Sequence, residues 1–209
     1  MSKIQFVKTI VPKEQYLDRE NIDSLYIIHF DPVEREDMDA YECVECSVPV
    51  DEYNTSEVQS AYEQWKDNMA NKALSYAIRT KVSEIEKYDK SPNVNGLYVN
   101  GLLVPWSDED KSSLNRSTRV SIRNSILIAK EEGMENTTLW LGSMEIEINC
   151  DKALRLLSAL EMYAKACFNV TAVHKKAVSE LKTIEEVETF DVTAGYPKQL
   201  EMDNLGVIK

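Results

Sequence analysis

The chain has 209 residues, of which 43% are hydrophobic and 29% are charged, and its formal net charge is −12. This length and composition are typical of a globular protein with one large or two small cores. The sequence lacks the run of about 18 apolar residues that a membrane span needs, and its charged start lacks the apolar stretch of a signal peptide. We therefore expect no membrane partner. Because nucleic-acid binding depends on Lys and Arg that displace counterions, the acidic charge also argues against a nucleic-acid partner.

The negative charge is concentrated near the start of the chain. Residues 1–54 contain 5 Lys+Arg and 13 Asp+Glu, a net charge of −8, whereas the remaining residues contain 19 and 23, a net charge of −4. This asymmetry indicates a separate N-terminal module, and one interpretation is that the module docks on a basic partner. A solvated acidic surface that maintains solubility is the other interpretation, and it is the one that we favour.

Residues 1–53 are predicted to form an acidic, β-rich N-terminal module. Strands are expected over residues 4–11, 24–30 and 40–48, where β-branched and aromatic residues cluster. Three prolines separate these runs from the next segments: Pro12, Pro32 and Pro49.

The cysteines do not form a recognisable metal or redox motif. Cys43 and Cys46 have C-x-x-C spacing, but they lie in a predicted strand, where residues three apart point to opposite faces. A second C-x-x-C or a nearby histidine would be needed for zinc, and a thioredoxin-like pair would have to open a helix. The other cysteines and the two histidines are dispersed: Cys150, Cys167, His29 and His174. We expect no metal site, no cofactor and no catalytic residue.

Residues 54–89 are predicted to form one long connecting helix of roughly 50 Å. Asn54 followed by Glu57 is typical of a helix start, because the Asn side chain accepts a backbone N–H of the first turn. Apolar residues then recur every three or four positions, and we assign them as candidate protein-interaction residues: Val58, Tyr62, Trp65, Met69, Ala73 and Tyr76. This short, nearly heptad stripe fits three arrangements, which are self-association, packing within the subunit and packing against a different protein.

Residues 90–200 are predicted to form a helical domain with two β-hairpins. In the first hairpin, two apolar runs flank Asn100-Gly101, a sequence typical of a two-residue turn. In the second, residues 138–148 alternate around Gly142-Ser143 and leave one face apolar and the other charged. We expect the two ribbons to cover the apolar surface of long antiparallel helices as a lid.

Three helices are expected within this domain. The first has Ser107 and Asp110 at its start and Gly133 at its end, with an apolar face of Leu114, Ile122, Ile126 and Ala129. The second begins past Asp151 and carries an apolar stripe of Leu154, Leu157, Leu160, Ala164, Cys167, Thr171, His174, Val178 and Leu181. The third is short, with a capping box of Thr183 and Glu186, and it ends before Gly195 and Pro197.

Two features of these helices have alternative interpretations. Arg116, Arg119 and Arg123 recur on one side of the first helix, so they are either a phosphate-binding stripe or ion-pair partners of neighbouring acids. His174 lies on an apolar stripe, where a lone histidine is usually a packing residue. Residues 201–209 are predicted to be a C-terminal tail, and the fold class as a whole is α+β.

Residues 88–200 resemble a domain of unknown function common in bacteriophage proteins of the tail and tail-fibre region, particularly in phages of gut Bacteroidetes. The resemblance lies in the order of YDKSPNVNGLYVNG, LNRSTRVSIRNSI and NTTLWLG, followed by the helix from Tyr163 to His174 and the residues Asp191, Gly195, Tyr196 and Pro197. The family often has a Trp directly before the Leu that aligns with Leu114. Here Ser113 occupies that position and Trp106 lies upstream, so we expect a longer lid.

The resemblance implies a non-enzymatic virion structural protein of the tail region, located in the host cytoplasm during assembly. Its expected partners are other virion proteins and copies of itself, and no small-molecule substrate is expected. A fibre-assembly chaperone that is absent from the mature particle is the first alternative. A cell-wall hydrolase with two converging carboxylates is the second.

Overall fold

The computed structural model describes residues 4–106, 118–141 and 144–203 and shows an α+β protein. Its residues form two compact units, Met1–Ala73 and Leu74–Lys209. The boundary lies inside the long helix α1 (Thr55–Lys90), so the predicted connector contributes to both units. The predictions for Ser107, Asp110, Ser113, Leu114, Arg116, Gly142 and Ser143 lie outside the described residues.

The N-terminal unit contains a four-stranded antiparallel sheet in the order β1-β4-β3-β2. The three predicted strands are confirmed, and a fourth, β2, was not predicted. The strands are β1 (Phe6–Pro12), β2 (Arg19–Ile22), β3 (Leu25–Arg35) and β4 (Ala40–Pro49). A short 3₁₀ helix, Lys13–Gln15, lies in the segment between β1 and β2.

Pro32 does not end its strand as predicted. The pairing of β3 with β4 shifts register between Phe30 and Val33, and Asp31 has a positive φ of 47°. A proline is tolerated in such a bulge because the residue there needs no N–H for the ladder. The strand therefore continues to Arg35.

The first turns of α1 pack on one face of this sheet. Oδ1 of Asn54 accepts the N–H groups of Ser56 (3.0 Å) and Glu57 (3.3 Å), which confirms the predicted helix start. Val58 then joins the core with Ile28 of β3. The remaining members of this core are Cys46 and Val48, with Ile4, Phe6, Tyr26, Phe30 and Tyr53 packed against them.

The C-terminal unit is built around α3 (Cys150–Glu180), the helix predicted to begin past Asp151. It begins slightly earlier, because the side chain of Asn149 accepts the N–H of Asp151. The other helices here are α2 (Arg119–Glu131) and α4 (Ile184–Glu188). The Thr183–Glu186 capping box is confirmed, as are the left-handed conformations of Gly133 (φ +82°) and Gly195 (φ +74°).

Both predicted hairpins are confirmed. The first consists of β5 (Gly96–Val99) and β6 (Leu102–Pro105), and its turn residues Asn100 and Gly101 have φ of +51° and +78°. The second consists of β7 (Asn136–Leu141) and β8 (Met144–Asn149), with Trp140 opposite Glu145 on its polar face. Two residues of the predicted C-terminal tail form the strand β9 (Glu201–Met202), which pairs in parallel with β5.

The helices adjacent to α3 run antiparallel to it. Lys175 of α3 pairs with Glu86 of α1, and Thr171 of α3 donates to Asp89 of α1. Residue numbers therefore fall along α3 as they rise along α1. The main core lies between α2, α3 and the two hairpins. Its buried members are Val94, Leu97, Val99, Trp106, Ile126, Leu139, Leu141, Ile148, Cys150, Ala153, Leu156, Leu157, Leu160, Tyr163, Cys167 and Met202. The hairpins therefore cover apolar helix surface, and a smaller cluster of Ile85, Val178 and Val187 joins α1, α3 and α4.

We predict that Leu160→Ala lowers the free energy of unfolding by about 2–5 kcal/mol, because it leaves a cavity in the main core. Met162→Ala is the matched control on the same helix, since Met162 is 67% exposed; a change within about 0.5 kcal/mol is expected there. Urea unfolding followed by far-UV circular dichroism measures both. Equal losses for the two variants would contradict the core described above.

Candidate protein-interaction surfaces

The six candidate interaction residues on α1 divide into two groups. Val58 and Tyr62 are buried and Trp65 is half-buried, all against the N-terminal sheet. The other three are exposed: Met69, Ala73 and Tyr76. The first group therefore packs within the subunit, which was one of the three predicted arrangements.

An aromatic cluster and a charged contact attach α1 to the sheet. The rings of Phe30 and Tyr62 stack with centroids 4.1 Å apart, and Phe6 lies against both Tyr62 and Trp65. The bulge in β3 places the Asp31 carboxylate where Tyr62 Oη donates to it at 2.8 Å and Lys66 Nζ at 3.0 Å. The hydrogen bonds from Lys66 and Tyr62 lower the pKa of Asp31.

The opposite face of the sheet contains an open groove of about 810 Å³. We call it the sheet groove, and its lining residues are Val11, Glu14, Gln15, Leu17, Arg19, Glu20, Asn21, Ile22, Ile27, His29 and Glu45. Successive side chains of a strand point to opposite faces of the sheet. Ile28 of β3 packs with Val58 of α1, so its neighbours Ile27 and His29 lie on the other face. Their register partners, Glu20 and Glu45, lie on that face too.

The segment between β1 and β2, residues 13–18, covers part of the same face, and we call it the crossing segment. The ring of Tyr16 lies 4.7 Å from that of Tyr41 and 5.6 Å from that of His29. Nδ1 of His29 donates to the carbonyl oxygen of Leu17 at 2.6 Å, and its Nε2 faces Glu45 Oε2 at 3.4 Å. Burial raises the pKa of Tyr16 to about 12. His29 thus has structural contacts on both ring nitrogens.

The sequence analysis did not identify the sheet groove, although a signal for it was present. Strands β1 and β3 have apolar residues on both of their faces. In β3, for example, Tyr26 and Ile28 lie on one face and Leu25 and Ile27 on the other. A half-exposed antiparallel sheet usually alternates apolar with polar residues. Apolar residues on both faces of a strand indicate that the second face of the sheet is also a contact surface.

The structure describes two of the three arginines, and one of them forms an ion pair with a neighbouring acid. Arg119 is buried, with its Nε 2.5 Å from Glu161 Oε1, and Arg123 donates to Ser158 Oγ at 2.8 Å. Both guanidinium groups are directed at α3, which leaves little reason to assign them to a phosphate.

The cysteines and His174 have packing environments. Cys46 lies in the core under α1, and burial raises the pKa of its thiol to about 11; burial also raises the pKa of Cys43. His174 contacts the rings of Phe190 and Tyr196 edge-on, at centroid distances of 5.3 and 5.8 Å. Within the described residues, no group of three or more His, Cys, Asp or Glu side chains has the arrangement of a metal site.

Among the described helices, none has both the length and the apolar character of a membrane span. Comparison of the chain with protein-family models, with curated proteins and with solved structures gives no match.

We predict that the stabilising effect of the Asp31 carboxylate depends on pH. Its pKa is lowered below 3.8 in the folded state, so the contribution is fully present above that pH and is lost as the pH falls through the folded-state value. The difference in unfolding free energy between the wild type and Asp31→Asn should therefore be larger at pH 6 than at pH 2.5. Tyr62→Phe removes one of the two donors and should lower stability by about 1 kcal/mol.

Chemical unfolding of the three proteins across this pH range measures the effect. A wild-type minus Asp31→Asn difference that is the same at every pH would contradict the assignment.

Proposed function

We propose that the protein is a non-enzymatic structural component of a bacteriophage tail or tail-fibre region, where it binds neighbouring virion proteins and copies of itself. Two independent lines support this proposal. The resemblance of residues 88–200 to a phage domain of the tail region gives the context, and the exposed apolar surfaces give the mode of action.

The sheet groove is the observation that carries the proposal. Its apolar side chains remain accessible even though the chain supplies both a helix and a crossing segment to the same sheet; Leu17 is 57% exposed and Ile22 is 48% exposed. Scattered surface apolar residues are ordinary, whereas a contiguous patch with a polar rim is typical of a protein-binding surface. A role in binding other polypeptides follows more directly from this surface than catalysis does.

The C-terminal unit also has exposed apolar side chains. Met162, Phe168 and Val173 are exposed on α3, and Val120 and Ile128 are exposed on α2. Its partly buried polar groups bond to one another instead, since the Thr171 hydroxyl forms hydrogen bonds with both the Asp89 carboxylate and the Tyr196 hydroxyl.

Mass spectrometry of purified particles of the encoding phage tests the proposal. We expect near-stoichiometric copies of the chain relative to known tail components. Presence in infected-cell lysate but not in particles would overturn the structural role in favour of an assembly chaperone, since a chaperone would use the same surfaces.

A turbidity assay on host cell walls tests the enzymatic alternative. We expect no clearing by the purified protein. Clearing that disappears when the groove acids are neutralised, as in Glu20→Gln with Glu45→Gln, would overturn the proposal in favour of a hydrolase.

A further inference from the structure

One face of the N-terminal sheet combines an apolar floor with a carboxylate rim. Ile22 of β2 and Ile27 of β3 lie on the floor, and Leu17 of the crossing segment and Val11 of β1 also line the groove. By register, Val7 lies on the same face opposite Glu45, and it is 54% exposed. The apolar surface therefore continues along β1 from Val11 in the groove to Val7 outside it.

Three glutamates give the rim its charge. Glu14 lies on the crossing segment, Glu20 on β2 and Glu45 on β4, so carboxylates approach the groove from three elements. Within the described residues, neither Glu14 nor Glu20 forms an ion pair. These two carboxylates are thus available to a cationic ligand.

The arginine that lines the sheet groove does not neutralise this charge. The Arg19 guanidinium carbon lies 5.1 Å from the ring centre of Tyr26 and 5.4 Å from that of Tyr53, and Arg19 donates to Tyr53 Oη. Tyr26 and Tyr53 pack against the core under α1, on the opposite face of the sheet. The positive charge of Arg19 is therefore directed away from the groove.

We propose that the sheet groove binds a segment of a partner protein in which lysine or arginine residues accompany apolar residues. Apolar side chains of that segment cover Ile22, Ile27 and Leu17, and its cations pair with Glu14, Glu20 and Glu45. Opposite charges at the rim of such a surface set specificity and speed association. This inference rests on the proposed function, because it gives the chemistry of one partner of the virion protein.

The charge distribution disfavours a second copy of this chain as the occupant. Each copy has a net charge of −12, and 8 of those negative charges belong to residues 1–54, which form most of the unit that carries the groove. Bringing two such surfaces together adds like-charge repulsion. The same carboxylates repel phosphate groups, so a basic polypeptide is the occupant that satisfies both the floor and the rim.

Fluorescence anisotropy with the full-length chain tests the proposal. The probe is a fluorescein-labelled peptide of about 12 residues that alternates Lys with Leu or Val, long enough to cross several strands. Two control peptides replace every Lys with Glu or every apolar residue with Ser. We expect binding of the first peptide only, with an affinity that falls as the salt concentration rises.

Paired variants locate the binding site. Glu14→Gln with Glu20→Gln should weaken binding about tenfold, since two ion pairs are lost. The matched control is Glu36→Gln with Asp51→Asn, which changes the net charge of the same unit equally but lies outside the groove; a change within about twofold is expected. Leu17→Ser with Ile22→Ser should weaken binding at least tenfold, whereas Val33→Ser, on an exposed side chain outside the groove, should not.

Three outcomes would overturn the inference: no binding of the Lys peptide, equal weakening by groove and control variants, or a homodimer that Ile22→Ser dissociates. Circular dichroism verifies that each variant folds, and the Glu→Gln pair keeps the test valid if a Ser variant unfolds. Particle composition does not enter these measurements. A chain that is abundant in particles but binds no basic peptide would refute the groove assignment alone.

Discussion

A β-sheet has two faces, and the N-terminal unit has one helix segment to cover them. The first turns of α1 cover one face through Val58, Tyr62 and Trp65, and the bulge that presents Asp31 strengthens this attachment. The other face receives only the crossing segment, which contributes Tyr16 and covers part of the surface. The sheet groove is a consequence of this imbalance. The strands have apolar residues on both faces of the sheet, whereas other elements cover mainly one face.

In the C-terminal unit, the other elements pack around a single helix, α3. α3 meets α2 through Arg119–Glu161, α1 through Lys175–Glu86, and the hairpins through its apolar residues. Contact on several sides explains why Leu156 and Tyr163 are buried although they lie beside the stripe predicted from helical periodicity. The periodicity describes one contact face, whereas a central helix has several.

Local signals predicted local structure well in this chain. The Asn100-Gly101 turn, the Asn54 cap and the Thr183 capping box each depend on residues a few positions apart, so the sequence contains all the necessary information. Pro32 misled the strand prediction because its effect depends on pairing with β4, which decides whether an N–H is needed. β9 was also missed, since a two-residue strand has no periodicity of its own. The sheet groove depends on strand order and on the path of the crossing segment, and neither is encoded by spacing along one strand.

The parallel pairing of β9 with β5 has a consequence for how the C-terminal unit is made. The N–H groups of Tyr98 and Asn100 bond the carbonyl oxygens of Leu200 and Met202, and Met202 is buried in the main core. At a translation rate of about 5–20 residues per second, the first hairpin is synthesised roughly 5–20 s before β9, the third strand of its sheet. During this interval β5 has an unpaired edge, to which a chaperone or another strand can bind in competition with β9.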